Sequence, residues 1–400
     1  MLDFQKLSAD YQQALLRQVV PFWLKNSQDL VCGGYFDLLS AKGTVIEGDK
    51  MVTAQAQQVW AFAWLYNTLD GQPAWLTHAR HGGSFLSAYA HTDNLDCYAR
   101  LDRRGRALIQ AIDGIPAASA VMAYAQLYRA TNEDEWAMLA KQVFRKLLEH
   151  RETVRAQQTA SIGGFRMVRH LGEVTTLLKA VLDMQPLLDE EAGKAAVDTV
   201  LQELMHEFLD RRTNTLREHI LPEGGFINTP EGRRLNVGLT FQTMGYLLDL
   251  SLDSGDRKMM MQVVTWALQL CDLAWDETAG GLNQYVDWKG EPSVFPEASQ
   301  KWAWVQVEAI SCLMKGYFQT RHPDCPKWFK RIHAYTFQHF PDPAQPGWHL
   351  AIDSQRLPLL TAKSIPETGC LSLVKCLAET AQTLTKCGQL QPMGRNVRVG

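Results

Sequence analysis

The chain contains no Cys-x-x-Cys pair; its eight cysteines are scattered along 400 residues. This spacing supplies neither the usual zinc-ligand pattern nor a disulfide framework. The cysteines read as mostly buried free thiols of a reducing compartment. No run of about 18 apolar residues is present, so no membrane-spanning helix is expected. The first residues, Met1 to Lys6, lack the basic-then-apolar layout of a secretory leader, and the expected location is cytoplasmic. Excess charge is also missing. A net charge of −3 gives no bulk attraction to nucleic acid or to an anionic membrane, and neither is expected as a partner. The sequence has no Gly-rich phosphate loop, no His-Glu-x-x-His and no Gly-x-Ser-x-Gly elbow. His78 and His81 share a helix face without an acidic or Cys partner at ligand spacing, and read as a surface pair. Neither a metal nor a cofactor is expected.

What the chain does have is a full apolar complement, 46% hydrophobic against 21% charged, as a packed globular core requires. Apolar residues recur at three- and four-residue spacing over 3–26, 51–70, 73–91, 113–131, 134–151, 170–187, 190–210, 237–255, 257–275, 299–321, 323–342 and 369–386. These are twelve amphipathic helices, or six pairs if the first packs beside the last. Short breakers such as Asp70 to Pro73, Thr131 to Glu133 and Ser254 to Asp256 join pair partners as antiparallel neighbours.

Between pairs lie segments with strand and turn signals: Gly33 to Gly43, Asp96 to Gly105, Gly280 to Gly290 and Gly347 to Asp353. Each alternates around aromatic or aliphatic residues and turns at a Gly or polar pair, which suggests a hairpin. A helix pair followed by a hairpin, repeated, is an internal repeat. Closing it on itself buries every helix stripe. The expected fold is all-α, an (α/α)6 barrel with short β-hairpins clustered at one mouth. No Pro/Gly/Ser linker divides the chain, so residues 1–390 are expected to form a single domain. Residues 391–400 carry no apolar period and read as a disordered tail.

Several residues invite a chemical reading. Trp304 and Glu308 lie at i,i+4 on an otherwise apolar helix, and a buried carboxylate there needs a partner. Indole faces stack on sugar rings and carboxylates bind hydroxyls; a Trp-rich core edge with a salt-bridged Glu308 is the plainer alternative. His170 and Glu173, at i,i+3, open a helix and could supply a general base with an orienting carboxylate. An exposed first turn is the alternative there. Gln55, Gln57, Gln58 and Trp60 share one helix, where amides beside an indole suit a polyol or a solvated face.

In this order the segments resemble the N-acylglucosamine 2-epimerase superfamily. It includes N-acetylglucosamine 2-epimerases, cellobiose 2-epimerases and aldose–ketose isomerases of mannose and sulfoquinovose. The resemblance runs from Pro21 to Cys376 through Gly33–Phe36, Asp49–Lys50, Gln55–Trp60, Glu231–Asn236, Trp275–Asp276, Gly280–Gly281 and Lys301–Ala309. It implies an (α/α)6 barrel, frequently a homodimer, acting on a small-molecule sugar. It also implies proton removal beside the anomeric carbon and return to the resulting enediolate, with a histidine on each face.

This chain departs from the pattern where the resemblance expects its chemistry. The family's Asn-Pro-Gly-His-x-x-Glu reads Asn236 to Gln242, so Leu239 stands for the first histidine and Gln242 for its acidic partner. Ser372 stands for the second histidine and Gln57 for an arginine. Trp60, Trp304, Gln306 and Glu308 are retained. His170 and Glu173 fit the His-x-x-Glu helix of the cellobiose-epimerase and isomerase branches, which makes His170 the leading candidate base. The expected catalytic groups are His170, Glu173, Glu308 and Glu218. The expected substrate contacts are Gln57, Trp60, Leu239, Gln242, Trp304, Gln306 and Ser372. Three readings follow: a repurposed isomerase or cyclase with a less polar pocket, a sugar epimerase or aldose–ketose isomerase with a rearranged site, or a non-catalytic sugar-binding protein.

Overall fold

The computed structural model describes residues 2–160 and 168–390. The tail expected over 391–400 lies outside the described residues. Among the described residues twelve long helices appear where the apolar period places them, with the fifth running past its expected end at 151 to Ala160. They are α1 (residues 4–26), α2 (Val52–Thr68), α3 (Pro73–Tyr89), α4 (Ile115–Thr131), α5 (Asp134–Ala160), α6 (Leu171–Met184), α7 (Glu190–Glu203), α8 (Val237–Ser254), α9 (Arg257–Ala274), α10 (Ala303–Thr320), α11 (Cys325–His339) and α12 (Leu371–Gln389). Within α1 the turns at Ala14–Val19 widen to π geometry just ahead of Pro21, whose ring crowds the preceding turn and which has no N–H to give.

The even-numbered helices form the inner ring. Each packs against the next, α2 on α4, α4 on α6, α6 on α8, α8 on α10 and α10 on α12, and α12 returns to α2. The odd-numbered helices form the outer layer, each packed on an inner partner, with α1 on α12. Inner helices are buried nearly all round, and small residues let them approach: α4 buries Ala118, Ala120, Ala123 and Ala125. Several polar side chains between the inner helices are paired. Trp60 Nε1 donates to Asp183 at 2.6 Å, Lys179 bonds Asp183 at 2.6 Å, and Lys315 lies 2.7 Å from Asp249 and 3.0 Å from Glu379. Seven cysteines are buried and Cys32 is half-buried; all eight are free thiols. No described helix is long and apolar enough to cross a membrane.

Three of the connections that enter inner helices share a corner. Asp29, Asp276 and Asp342 each use one carboxylate oxygen to accept two backbone N–H groups of their own turn. A buried lysine on the strand leading to the next inner helix takes the same carboxylate: Lys50 at 3.2 Å, Lys301 at 2.9 Å and Lys363 at 2.7 Å. A glutamine one turn into the helix completes two of these corners. Gln55 bridges Tyr35 N and O, and Gln306 bridges Leu282 N and O. Gly281, at φ +77°, has no room for a Cβ, which would lie 2.4 Å from the Tyr335 ring.

Two of the four expected hairpins form locally, with the second strand just past the expected turn: Leu38–Ser40 with Val45–Glu47, and Tyr98–Leu101 with Ala107–Gln110. The other two need correction. Tyr285–Asp287 pairs antiparallel with Arg234–Asn236, and Ala351–Ile352 pairs with Lys301–Trp302. In both, the strand leading into an inner helix offers a pairing edge, and it captures the segment that would otherwise fold on itself. His78 and His81 are also corrected: His78 is buried with Nε2 2.8 Å from Gln58 Nε2, and His81 Nε2 lies 2.9 Å from Gly34 O.

Candidate active site

The starts of the inner helices converge on a cavity of about 450 Å³ at the barrel mouth. Gln57 of α2, His170 and Gly172 at α6, Leu239 and Gln242 of α8, Trp302 and Trp304 at α10, and Leu371 and Ser372 of α12 all line it. Tyr285, Gln284, Glu367 and Thr368 complete the wall from the connecting segments. The helix starts are held open by local caps. Asn236 Oδ1 accepts Leu239 N–H at 3.1 Å, and His170 Nδ1 accepts Gly172 N–H at 3.0 Å.

Of the residues singled out in the sequence, Gln57, His170, Leu239, Gln242, Trp304 and Ser372 line this cavity together. The others lie outside its lining. Trp60 is fully buried between the inner helices and bonded to Asp183, so its indole is not available to a ligand at the mouth. Gln306 is fully buried and spends its amide on Leu282. Glu173 faces Arg151 at 4.0 Å; burial raises its carboxyl above the usual range.

Glu308 lies one layer below the cavity. It forms a buried ion pair with Lys375 at 2.9 Å and accepts from Gln242 Nε2 at 2.9 Å and Ser372 Oγ at 2.7 Å. A carboxylate is an acceptor only, so it fixes the direction of both contacts. Gln242 must turn its amide nitrogen down and leaves its carbonyl oxygen for the cavity. Lys375 also sits 4.5 Å over the Tyr246 ring. Sequence reasoning missed Lys375; the signal was Glu308, which required a buried cation as partner.

Glu218 is 2% exposed and gripped by Arg234, Nε at 2.9 Å and a terminal nitrogen at 2.7 Å. Burial opposes its ionisation, but the bonds from His170 and Arg234 outweigh it and hold the carboxyl below its ordinary value. His170 Nε2 lies 3.3 Å from Glu218 Oε1, and His219 stands edge-on to His170 with centroids 4.9 Å apart. The two histidines are cross-strand partners. Arg234 and His219 were also missed: His219 meets His170 only through that strand pairing, and Arg234 reaches it only through Glu218.

His170, Glu218 and His219 bring three potential metal-ligand atoms within 4.8 Å of one another. The donor set does not suit a cation. His170 Nδ1 accepts an N–H and so carries the lone pair, which leaves the ring proton on Nε2, the nitrogen nearest Glu218. A metal there would have to displace that proton and compete with Arg234.

Comparison with known proteins agrees with the barrel and its landmarks. The N-acylglucosamine 2-epimerase (GlcNAc 2-epimerase) family model matches residues 34–366. An N-acylglucosamine 2-epimerase of Mus musculus is 28% identical over 385 residues, covering 92% of this chain and 90% of the relative. Among solved structures, cellobiose 2-epimerase from Spirochaeta thermophila DSM 6192 superposes with a TM-score of 0.82 at 16% identity, covering 96% of this chain and 98% of that one. A D-mannose isomerase superposes with a TM-score of 0.81 at 16% identity, covering 94% and 97%. Carrying the family's ordered landmarks on a closed ring of six helix pairs, the chain belongs to the N-acylglucosamine 2-epimerase family.

Proposed function

We propose that this protein is a sugar isomerase that moves a proton between adjacent carbons along one face of an open-chain sugar. The observation that carries this reading is the identity of the cavity groups. Leu239 and Ser372 stand where the family resemblance calls for histidines, and His170 is the imidazole that lines the cavity among the described residues. Inverting a carbon requires proton-transfer groups on both of its faces. Shifting a proton from one carbon to its neighbour requires acid–base chemistry on one face only. Loss of an acid/base group costs about 10²–10⁴ in rate, so two-faced epimerisation suffers most from these replacements.

The remaining lining suits a polyol. Trp304 offers an aromatic face, while Gln57, Gln242 and Ser372 offer neutral hydrogen-bonding groups. Glu308 acts from below by orienting Gln242 and Ser372, and Glu218 by orienting His170. A D-mannose isomerase is among the proteins that share this fold.

Incubation with mannose, glucose, N-acetylglucosamine and cellobiose in D₂O tests the reading. A ketose product with deuterium at the exchanged carbon is expected, with little 2-epimer. No deuterium in any of these sugars would sink it. A second reading, a non-catalytic sugar-binding protein, is favoured by one feature: both ring nitrogens of His170 are already engaged. Thermal stabilisation by a sugar without exchange selects that reading.

A further inference from the structure

His170 caps its own helix, and that contact fixes its tautomer. Nδ1 accepts the Gly172 N–H at 3.0 Å. Only a lone pair can receive an N–H, so the proton of the neutral ring is on Nε2. Nε2 meets Glu218 at 3.3 Å, a long contact to a carboxylate already held by two shorter bonds from Arg234. What the ring can offer a ligand, by sharing Nε2–H between it and Glu218, is therefore an N–H rather than a lone pair. A base needs the lone pair.

Two of the carboxylates around the site are engaged by cations, Glu218 by Arg234 and Glu308 by Lys375, and Glu173 lies outside the cavity lining. Among the described residues Glu367 is the carboxylate that lines the cavity itself. It is exposed and sits in a tight turn closed by the Thr368 N–H to Ile365 O at 3.0 Å, directly ahead of α12.

We propose that Glu367 is the catalytic base of this cavity and that His170 serves as a neutral hydrogen-bond donor to the substrate oxygen. The proposal rests on the isomerase reading above and assigns its groups. Glu367 takes the proton from the carbon beside the carbonyl. The C–H electron pair becomes the new C=C bond, and the carbonyl π pair moves onto oxygen as the enediolate charge. His170 Nε2–H stabilises that oxygen; a neutral imidazole N–H polarises a carbonyl without surrendering its proton. The Glu367 carboxyl then returns its proton to the neighbouring carbon, with proton relocation between the two oxygens, and no external oxidant or reductant is required.

Two variants separate the roles. Glu367→Gln keeps size and removes the base. His170→Asn keeps an N–H donor and a good helix cap but has no titratable nitrogen. Exchange of mannose and glucose hydrogen in D₂O is the activity readout, and thermal shift with the same sugars reports binding and folding. Exchange is expected to fall by about 10²–10⁴ in Glu367→Gln and by less in His170→Asn, with binding kept in both. Wild-type exchange by Glu367→Gln, or a larger loss in His170→Asn, overturns the assignment. Nitrogen-15 NMR of the unliganded protein at neutral pH gives a readout free of activity. A neutral Nε2–H ring is expected at His170; an Nδ1–H ring or an imidazolium overturns its part. If the wild-type protein exchanges none of these sugars, the isomerase reading itself fails, and the NMR result still decides the state of His170.

Discussion

Asp37 carries a conflict between burial and charge that reaches the stability of the whole chain. It is 5% exposed, and its carboxylate accepts from Met51 N and Gln55 Nε2. Burial pushes its carboxyl up to about 7, against the bonds from Met51 and Gln55 and the nearby Lys50 charge. The folded state thus keeps a proton that the unfolded chain releases near pH 4. Folded protein binds more protons across this window, so unfolding free energy falls as pH rises from about 4 to about 7 and levels above it. A shift of this size corresponds to about 4 kcal/mol. In Asp37→Asn this component is absent, and urea midpoints at pH 5, 6, 7 and 8 are expected to show a flatter profile than the wild type. Parallel profiles would contradict the assignment. Residue roles at this scale were only partly legible in the sequence. Leu239, Gln242 and Ser372 line the cavity because the helix that carries each one starts there. Trp60 has the same residue type as a sugar platform, yet Asp183 on α6, two inner helices away around the ring, claims its N–H. Nothing near Trp60 in the sequence announces that partner.

At the level of elements, the repeated corner explains why particular polar residues recur without touching a ligand. Gln306 holds both backbone groups of Leu282, just as Gln55 holds those of Tyr35. Gln306→Leu leaves a buried N–H and a buried C=O unpaired, a loss of about 2–5 kcal/mol. Denaturant unfolding is expected to show this loss, while affinity for any bound sugar stays near wild type. Unchanged stability with weakened sugar binding would return Gln306 to the ligand site. The helices were legible because each carries its own apolar period, and breakers such as Gly255, at φ +71°, end them cleanly. The strands at 285–287 and 351–352 were misread as local hairpins because their partners, Arg234–Asn236 and Lys301–Trp302, are about 50 residues away in sequence. Alternation marks a strand and says nothing about which edge it will find.

Across the whole molecule, one apolar cluster runs from Phe4 to Cys387, and every inner helix shares it with two neighbours. Among the described residues such a ring shows no boundary along which part of the barrel could melt alone. Calorimetry is therefore expected to give one transition, with van't Hoff and calorimetric enthalpies in agreement. Two separated transitions would divide the chain into independent units. Closure also sets the order in which the chain can complete itself. The seam is made by α12, which packs on α10, on α2 and on α1, so the first and last helices meet. During synthesis from the N-terminus, α1 waits for a partner that emerges only after residue 371. Its apolar face stays uncovered for most of translation, a long exposure in which association with other chains competes with folding. Contacts this distant in sequence also slow the final step. The barrel is a closed structure whose fastening is the last part to be made.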